Sequence, residues 1–337
     1  MRAAVRYPTT RGDVLGNGRY RLMGQISLPE NQQRYGAAWS ATDVQASSLR
    51  VIVREVQIPQ EVRETSRSQE QVLTMLVQRL RQLGQHPGLP HVLDYFTEQG
   101  TAYLVFQNIE GESLASLLTQ QRGALPERMA AEYAWHLCGI LSFFASQQPP
   151  FIHGSINPDT IIIAYEGKQV SLIHLPLFPP KEPVTAPVDT KQAGYYAPEQ
   201  TRGASSPSSD LYSLAATLYH AVTGCSPLEH MAFFYPPARR LNPAVTPGME
   251  MLLARQLRLS VPQRFAHPSE MQKELSALLT SYPDAEELEL PVLFSDPLRL
   301  NASQRRMVSQ NTGLLNIGVF AAVILLLLIG VLFAVLR

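Results

Sequence analysis

The sequence predicts an α+β chain of two lobes followed by a single apolar helix, and three observations carry that prediction. Within the first 110 residues, short runs with strand character are interrupted by one helical stretch after the third run. From residue 111 to the low 280s, helical patterns alternate with Pro-rich connectors. Leu314 to Arg337, LLNIGVFAAVILLLLIGVLFAVLR, then carries no charge before its last residue. At 337 residues the chain is long enough for one large two-lobed domain or two small ones.

Residues 1–18 are polar, with scattered arginines and no period, and are expected to be a flexible lead-in. The blocks YRLMGQISL, YGAAWSATD and LRVIVREV, beginning at Tyr20, predict three antiparallel strands. Val72, Leu73, Leu76, Leu80 and Leu83 then fall on one helix face that stops at Gly84, with Pro87 beyond. HVLDYFTEQGTAYLVFQNIE supplies two more strands around a Gln-Gly turn, with Tyr103, Val105 and Gln107 on one side. The small lobe is therefore expected over 19–110 and the large one over 111–281. In the large lobe, Met129 to Ala145 is apolar all round, as in a helix buried at a lobe centre.

The acidic start of 282–313 marks a juxtamembrane linker, and 314–336 reads as a transmembrane helix. About 20 apolar residues rising about 1.5 Å each match the roughly 30 Å of a bilayer's hydrocarbon core. Arg299, Arg305 and Arg306 precede this span and only Arg337 follows it, which predicts a single-pass, tail-anchored protein with its large N-terminal part in the cytoplasm. The N-terminus has no apolar run, so no signal peptide is expected. With 28 basic and 28 acidic residues there is no net field to attract nucleic acid. Cys138 and Cys225 lack metal-ligand spacing and read as packed thiols in apolar helical surroundings.

Several short motifs follow one another in a recognisable order. They are VIVRE (51–55), HPGLPHVLDYF, AYLVFQNIEGESL, HGSINPDT (153–160), LIHLP (172–176), YYAPEQ (195–200), SSDLYSLAATLYHAVTG and PQRF. In this order and spacing the chain resembles the Hanks-type protein kinases, particularly the bacterial Ser/Thr kinases, over roughly Tyr20 to Thr280. The resemblance implies a bilobal fold with ATP held between the lobes. It also implies phosphoryl transfer, which needs a lysine on the phosphates, two metal-binding groups, a base and a Gly-rich lid.

Position by position, the phosphate-handling parts depart from the family. The lid resembles NQQRYG (31–36) and keeps only Gly36, so Asn31 and Gln33 are expected to carry side chains into the phosphate space. Arg54 stands at the strand lysine, either as a surface arginine or as a ligand contact. Its helix partner is replaced, with Glu70 the nearest acid and Gln71 and Gln78 on the face expected to point inward. In the loop matching HRDxKPxN, Ser155, Asn157 and Thr160 occupy the positions of base, lysine and metal-binding asparagine. A neutral serine hydroxyl cannot serve as that base. His174 replaces the metal-binding aspartate, and imidazole is a poor magnesium ligand, so His174 reads as a packed histidine. Pro176 stiffens the stretch that follows.

By contrast, the resemblance carries structural roles onto His153, Asp210 and the Glu199–Arg264 pair, all of which are present. A pseudokinase is the expectation: a scaffold or allosteric partner of an active kinase or phosphatase at the membrane face, with no cofactor needed. Two alternatives stay open. One is a switch that binds ATP without magnesium, with Gly36 and Arg54 as nucleotide contacts, and the other is a residual transferase using Asp159 for metal.

Overall fold

In the computed structural model, residues 9–65, 68–121, 123–165, 169–179 and 193–282 are described. The predicted span at 314–336 and the linker from residue 283 lie outside them. Among the described residues no helix is long and apolar enough to cross a membrane.

The small lobe comprises β1 (Val14–Leu15), β2 (Tyr20–Ile26), α1 (Glu30–Gln33), β3 (Ala38–Asp43), β4 (Leu49–Val56), α2 (Gln60–Thr65), α3 (Gln69–Leu83), β5 (Val92–Glu98) and β6 (Thr101–Gln107). Its sheet is antiparallel and ordered β1-β2-β3-β4-β6-β5. The five expected strands are there. The sixth, β1, corrects the reading of a loose lead-in for residues 9–18, and residues 1–8 lie outside the described residues. Leu15 is buried and pairs with Tyr20, while the Gly16 amide donates to Glu98 at 2.7 Å, which ties residues 9–18 to the sheet. Two residues followed by a Gly-Asn-Gly turn are too short to show a strand period.

Leu15, Tyr20, Leu22, Trp39, Val53, Tyr103 and Val105 share one apolar cluster on one sheet face, so Tyr103 and Val105 lie on one side as expected. The opposite side of β6, with Ala102, Leu104 and Phe106, is equally buried, so the strand does not alternate between core and solvent. It lies inside the sheet with both faces covered. The Gln99–Gly100 turn has positive φ at both residues (49° and 78°), as a tight hairpin of the expected kind requires.

Ser68 caps α3 by accepting from the Gln71 amide, and Val72, Leu73, Leu76, Val77, Leu80 and Leu83 form its buried stripe. Glu70, Gln71 and Gln78 are exposed, which corrects the expectation that the two glutamines point inward. The apolar stripe fixes the rotation of the helix and carries them out to solvent.

The large lobe comprises β7 (Glu112–Ser113), α4 (Leu114–Gln121), α5 (Glu127–Ala145), β8 (Ile161–Ile163), β9 (Val170–Leu172), α6 (Pro207–Thr223), α7 (Ala238–Leu241), α8 (Pro247–Gln256) and α9 (Pro268–Ser281). α5 packs between α6 and α9. The near-total burial of α6, from Ser209 through Leu218, makes it the lobe's central post. Cys138 is buried in α5, whereas Cys225 is half-buried and follows the end of α6 at Gly224, outside a helix. β7, β8 and β9 form a small sheet under the cleft, and it frames the loop 153–160.

Candidate functional site

The cleft is built from the lid between β2 and β3, from β4 and β6 of the small lobe, and from two large-lobe segments, 153–160 and 172–176. A loop that approaches phosphate needs glycines. Here Asn and Gln replace them, residues that tolerate helix better than glycine, and the segment winds into α1. Gly36 closes the lid with φ at 116°, and a Cβ there would come within 2.4 Å of the Glu55 carbonyl oxygen. Its glycine is thus required by the close passage of the lid over β4, and it does not line the cavity beside Arg54.

Gln32 is fully buried, at 0% exposure. Its amide nitrogen donates to the His174 carbonyl at 2.6 Å and to the Ser155 hydroxyl at 3.2 Å. Asn31 donates to the Gly154 carbonyl at 3.2 Å, as its inward expectation required, but Gln33 turns back to the Leu28 carbonyl at 2.9 Å. The residue that fills the phosphate space is therefore Gln32, which the sequence reading passed over. The signal that could have found it is the helix propensity of the residues that took the glycines' places.

Below this lid, the loop is held from the large lobe. Asp210 on α6 accepts from the His153 amide at 2.8 Å and the Gly154 amide at 2.7 Å. Burial pushes its carboxyl up to about 7, against the pull of those two donors. His153 Nε2 bonds the Ile173 carbonyl at 2.9 Å, joining the two cleft segments.

The three altered catalytic positions then turn inward on one another. Asn157 accepts from the Asp159 amide at 2.8 Å and donates to the Ser155 carbonyl at 3.0 Å. The Thr160 hydroxyl donates to the Asn157 carbonyl at 3.0 Å and accepts from the Asn157 amide at 3.1 Å. Ser155, Asn157 and Thr160 are all buried; the polar atoms of Asn157 and Thr160 serve the turn, and the Ser155 hydroxyl meets Gln32 of the lid. Asp159 lies apart, lining a separate hollow with Ser113, Tyr195 and His220.

His174 has a left-handed backbone, with φ at 61°, and lines the cleft. Burial, then the charge of Arg54, then His153 hold its imidazole down to about 3. Burial chiefly holds His153 down to about 4, and Arg54 adds to this effect. Both rings are neutral near neutrality. Among the described residues no group of three or more His, Cys, Asp or Glu side chains could hold a metal. The donors at the two metal positions, a threonine committed to its own turn and a neutral imidazole, do not suit magnesium.

Arg54 on β4 is only 3% exposed, which overturns the reading of a surface arginine. Its Nη1 donates to the Leu175 carbonyl at 2.6 Å. Burial lowers the guanidinium to about 9. It lines a cavity of about 200 Å³ roofed by Ile26 and Leu28, flanked by Ile52 and Phe106, and floored by Ile162.

Away from the cleft, Arg264 grips Glu199 through both carboxylate oxygens at 2.8 and 2.9 Å, and Ser209 adds a third donor at 2.8 Å. Burial is the strongest single influence on the Glu199 carboxyl and raises it, but Arg264, a backbone amide and Ser209 together outweigh it and leave the group below the ordinary value. The Arg264 guanidinium also lies 4.7 Å from the centre of the Tyr212 ring.

The model of the protein kinase domain family matches residues 42–283, more than half of the chain. The chain belongs to the protein kinase domain family. It is 27% identical over 301 residues to the serine/threonine-protein kinase PknA of Nostoc sp., covering 83% of this chain and 50% of that protein. It is 31% identical over 231 residues to the PknA of Mycobacterium tuberculosis, covering 64% of this chain and 49% of that one. The chain thus spans about half the length of the curated relatives it matches. Among solved structures, the kinase domain of Mycobacterium tuberculosis PknI superposes with a TM-score of 0.55 at 15% identity, covering 80% of this chain and 99% of that domain. That likeness supports the bilobal kinase fold, into which the motifs of the family fall in this chain.

Proposed function

We propose that this kinase-family chain is a pseudokinase that works by binding a protein partner, with an active kinase or a phosphatase as the partner class. The carrying observation is Gln32, whose amide occupies the place between Ser155 and His174 where the family handles phosphate. Base, lysine and both metal positions are changed as well, and such groups act as a unit, so the loss of any one of them already removes most of the rate. The apolar span at 314–336 supports a membrane anchor that holds the kinase-like domain at the cytoplasmic membrane face. Such an anchor raises the effective concentration of a partner confined to the same surface.

A second reading, a nucleotide switch without turnover, is favoured by one observation, the apolar cavity that still borders the connecting residues Gln107, Asn108 and Ile109. The relatives named as serine/threonine kinases define the activity to look for. The full chain in mild detergent, given labelled ATP with magnesium or manganese, is expected to transfer no phosphate to itself or to a generic protein substrate. A thermal shift with ATP and ADP, each with and without metal, runs beside it. Metal-dependent transfer would overturn the pseudokinase reading, and a metal-independent shift without transfer would establish the switch.

A further inference from the structure

Among the described residues, Arg54 is a charged group buried without a counter-charge. In the family's arrangement, acids on the small-lobe helix and at the metal position face the strand cation. Here those places hold exposed or apolar residues of α3 and His174. Among the described residues, the groups facing the guanidinium are the Leu175 carbonyl, His174, His153 and Tyr35, with no carboxylate among them. Glu55, the next residue along β4, accepts from Thr9 instead, on the other side of the strand.

The unmet part of Arg54 has a definite shape. Nη1 is used by Leu175, whereas Nε and Nη2 are buried with no hydrogen-bond partner among the described residues. Those two nitrogens share one edge of the guanidinium plane, the fork that takes both oxygens of a carboxylate. Buried cations persist where something pairs them.

The cavity that Arg54 lines narrows the choice of ligand. The cavity holds about 200 Å³ between aliphatic and aromatic side chains, Ile26, Leu28, Ile52, Phe106 and Ile162 among them. This volume suits a flat body of fragment size, below the usual drug-sized pocket. The neighbouring room for a polyphosphate is taken by Gln32. Arg54 offers one cation, and among the described residues no metal ligands or second cation line the cavity with it to balance several negative charges.

We propose that the cleft takes a small, flat, mainly apolar molecule carrying a single carboxylate, its ring between Ile26 and Ile162 and its carboxylate on the Nε–Nη2 edge of Arg54. This assignment rests on the pseudokinase reading and names the ligand class of the same cleft. The ligand supplies the negative charge that the family's acids would have provided, and it needs no magnesium. Seating it requires a side-chain adjustment at the inner end of the cavity, because Nε and Nη2 are closed to solvent.

Isothermal titration of the full chain in mild detergent tests this with 2-naphthoate and with 2-naphthamide, its neutral counterpart of the same shape. The acid is expected to bind at least about tenfold more tightly than the amide, the scale of a charge-assisted hydrogen-bond pair. Arg54→Met is expected to bind the two alike. Should that variant not fold, Arg54→Lys keeps a cation without the fork and is expected to lose most of the preference. Absence of acid binding, equal affinity for acid and amide in the native chain, or a preference that survives in Arg54→Met overturns the proposal. Tighter binding of 2-naphthyl phosphate than of 2-naphthoate overturns the choice of carboxylate. Phosphate transfer from ATP in the companion assay would sink the pseudokinase reading instead, and the acid-to-amide ratio is read independently of it.

Discussion

The loop at 153–160 has two sides that follow different rules. Its underside is held by Asp210 from α6, and the Glu199–Arg264 pair braces the same lobe, both in the family's manner. Its upper side faces the cleft, and there Gln32, Ser155 and His174 replace groups that would have met phosphate and metal. Residues that answer to buried backbone donors are dictated by the fold. Residues that answer only to a substrate can change once the substrate is gone, provided that they satisfy one another.

The contrast breaks if the braces prove dispensable. Glu199→Ala strands a guanidinium whose side chain is wholly buried, and it is expected to cost about 3 to 5 kcal/mol of unfolding free energy by denaturant titration. Asp210→Ala leaves the amides of His153 and Gly154 without an acceptor, at about 1 to 3 kcal/mol for each donor. Part of that loss is offset because the buried carboxyl goes too. A loss below about 1 kcal/mol for both variants would remove the distinction between the two sides.

Gly36→Ala tests the lid's attachment to β4. Its Cβ would meet the Glu55 carbonyl at a φ of 116°, so a loss above about 1 kcal/mol is expected in the same titration.

The pH dependence sharpens the account of the upper side. His174 is held down to about 3 by burial first, and an unfolded histidine takes its proton near the ordinary value of about 6.5. Between these values the unfolded chain binds more protons, so this group's contribution to stability is lost as pH falls from about 6.5 towards 3. Asp210, raised to about 7 chiefly by burial, binds its proton earlier in the folded chain and works in the opposite direction below that pH. It is common to native chain and variant and cancels in a comparison. His174→Gln should therefore gain on the native chain as pH is lowered from about 7 to about 5, and parallel melting curves across that range would contradict a buried neutral imidazole.

The smallest effect is expected for Gln32→Ala. It gives up two hydrogen bonds but also removes a buried amide oxygen that has no partner among the described residues, for a net change within about 1 kcal/mol. It should restore no phosphate transfer, because Ser155 is still no base.

Much of this architecture could be read from the chain itself, for physical reasons. The α3 stripe, the Gln99–Gly100 hairpin and the α5 helix each repeat a period long enough to register. Asp210, Glu199 and Arg264 sit at motif positions whose partners are buried backbone or each other. What escaped lay where no period exists. β1 is two residues long, and α1 is a single turn whose polar composition looks solvent-bound. The rotation of α3 is not legible from the family pattern, because Leu76 and Leu80 claim the face on which a partner for Arg54 is expected. The chain leaves Arg54 open between surface and site, since its burial comes from lid and cleft segments distant in the chain.

The Gln32 contact also has a mechanical meaning. One amide nitrogen, carried by the small lobe, bonds at once to both cleft segments of the large lobe. Opening the lobes would have to break both bonds together, so they favour one interlobe angle. A partner that recognises that shape meets it already formed and gives up less conformational freedom on association than it would against a hinged kinase.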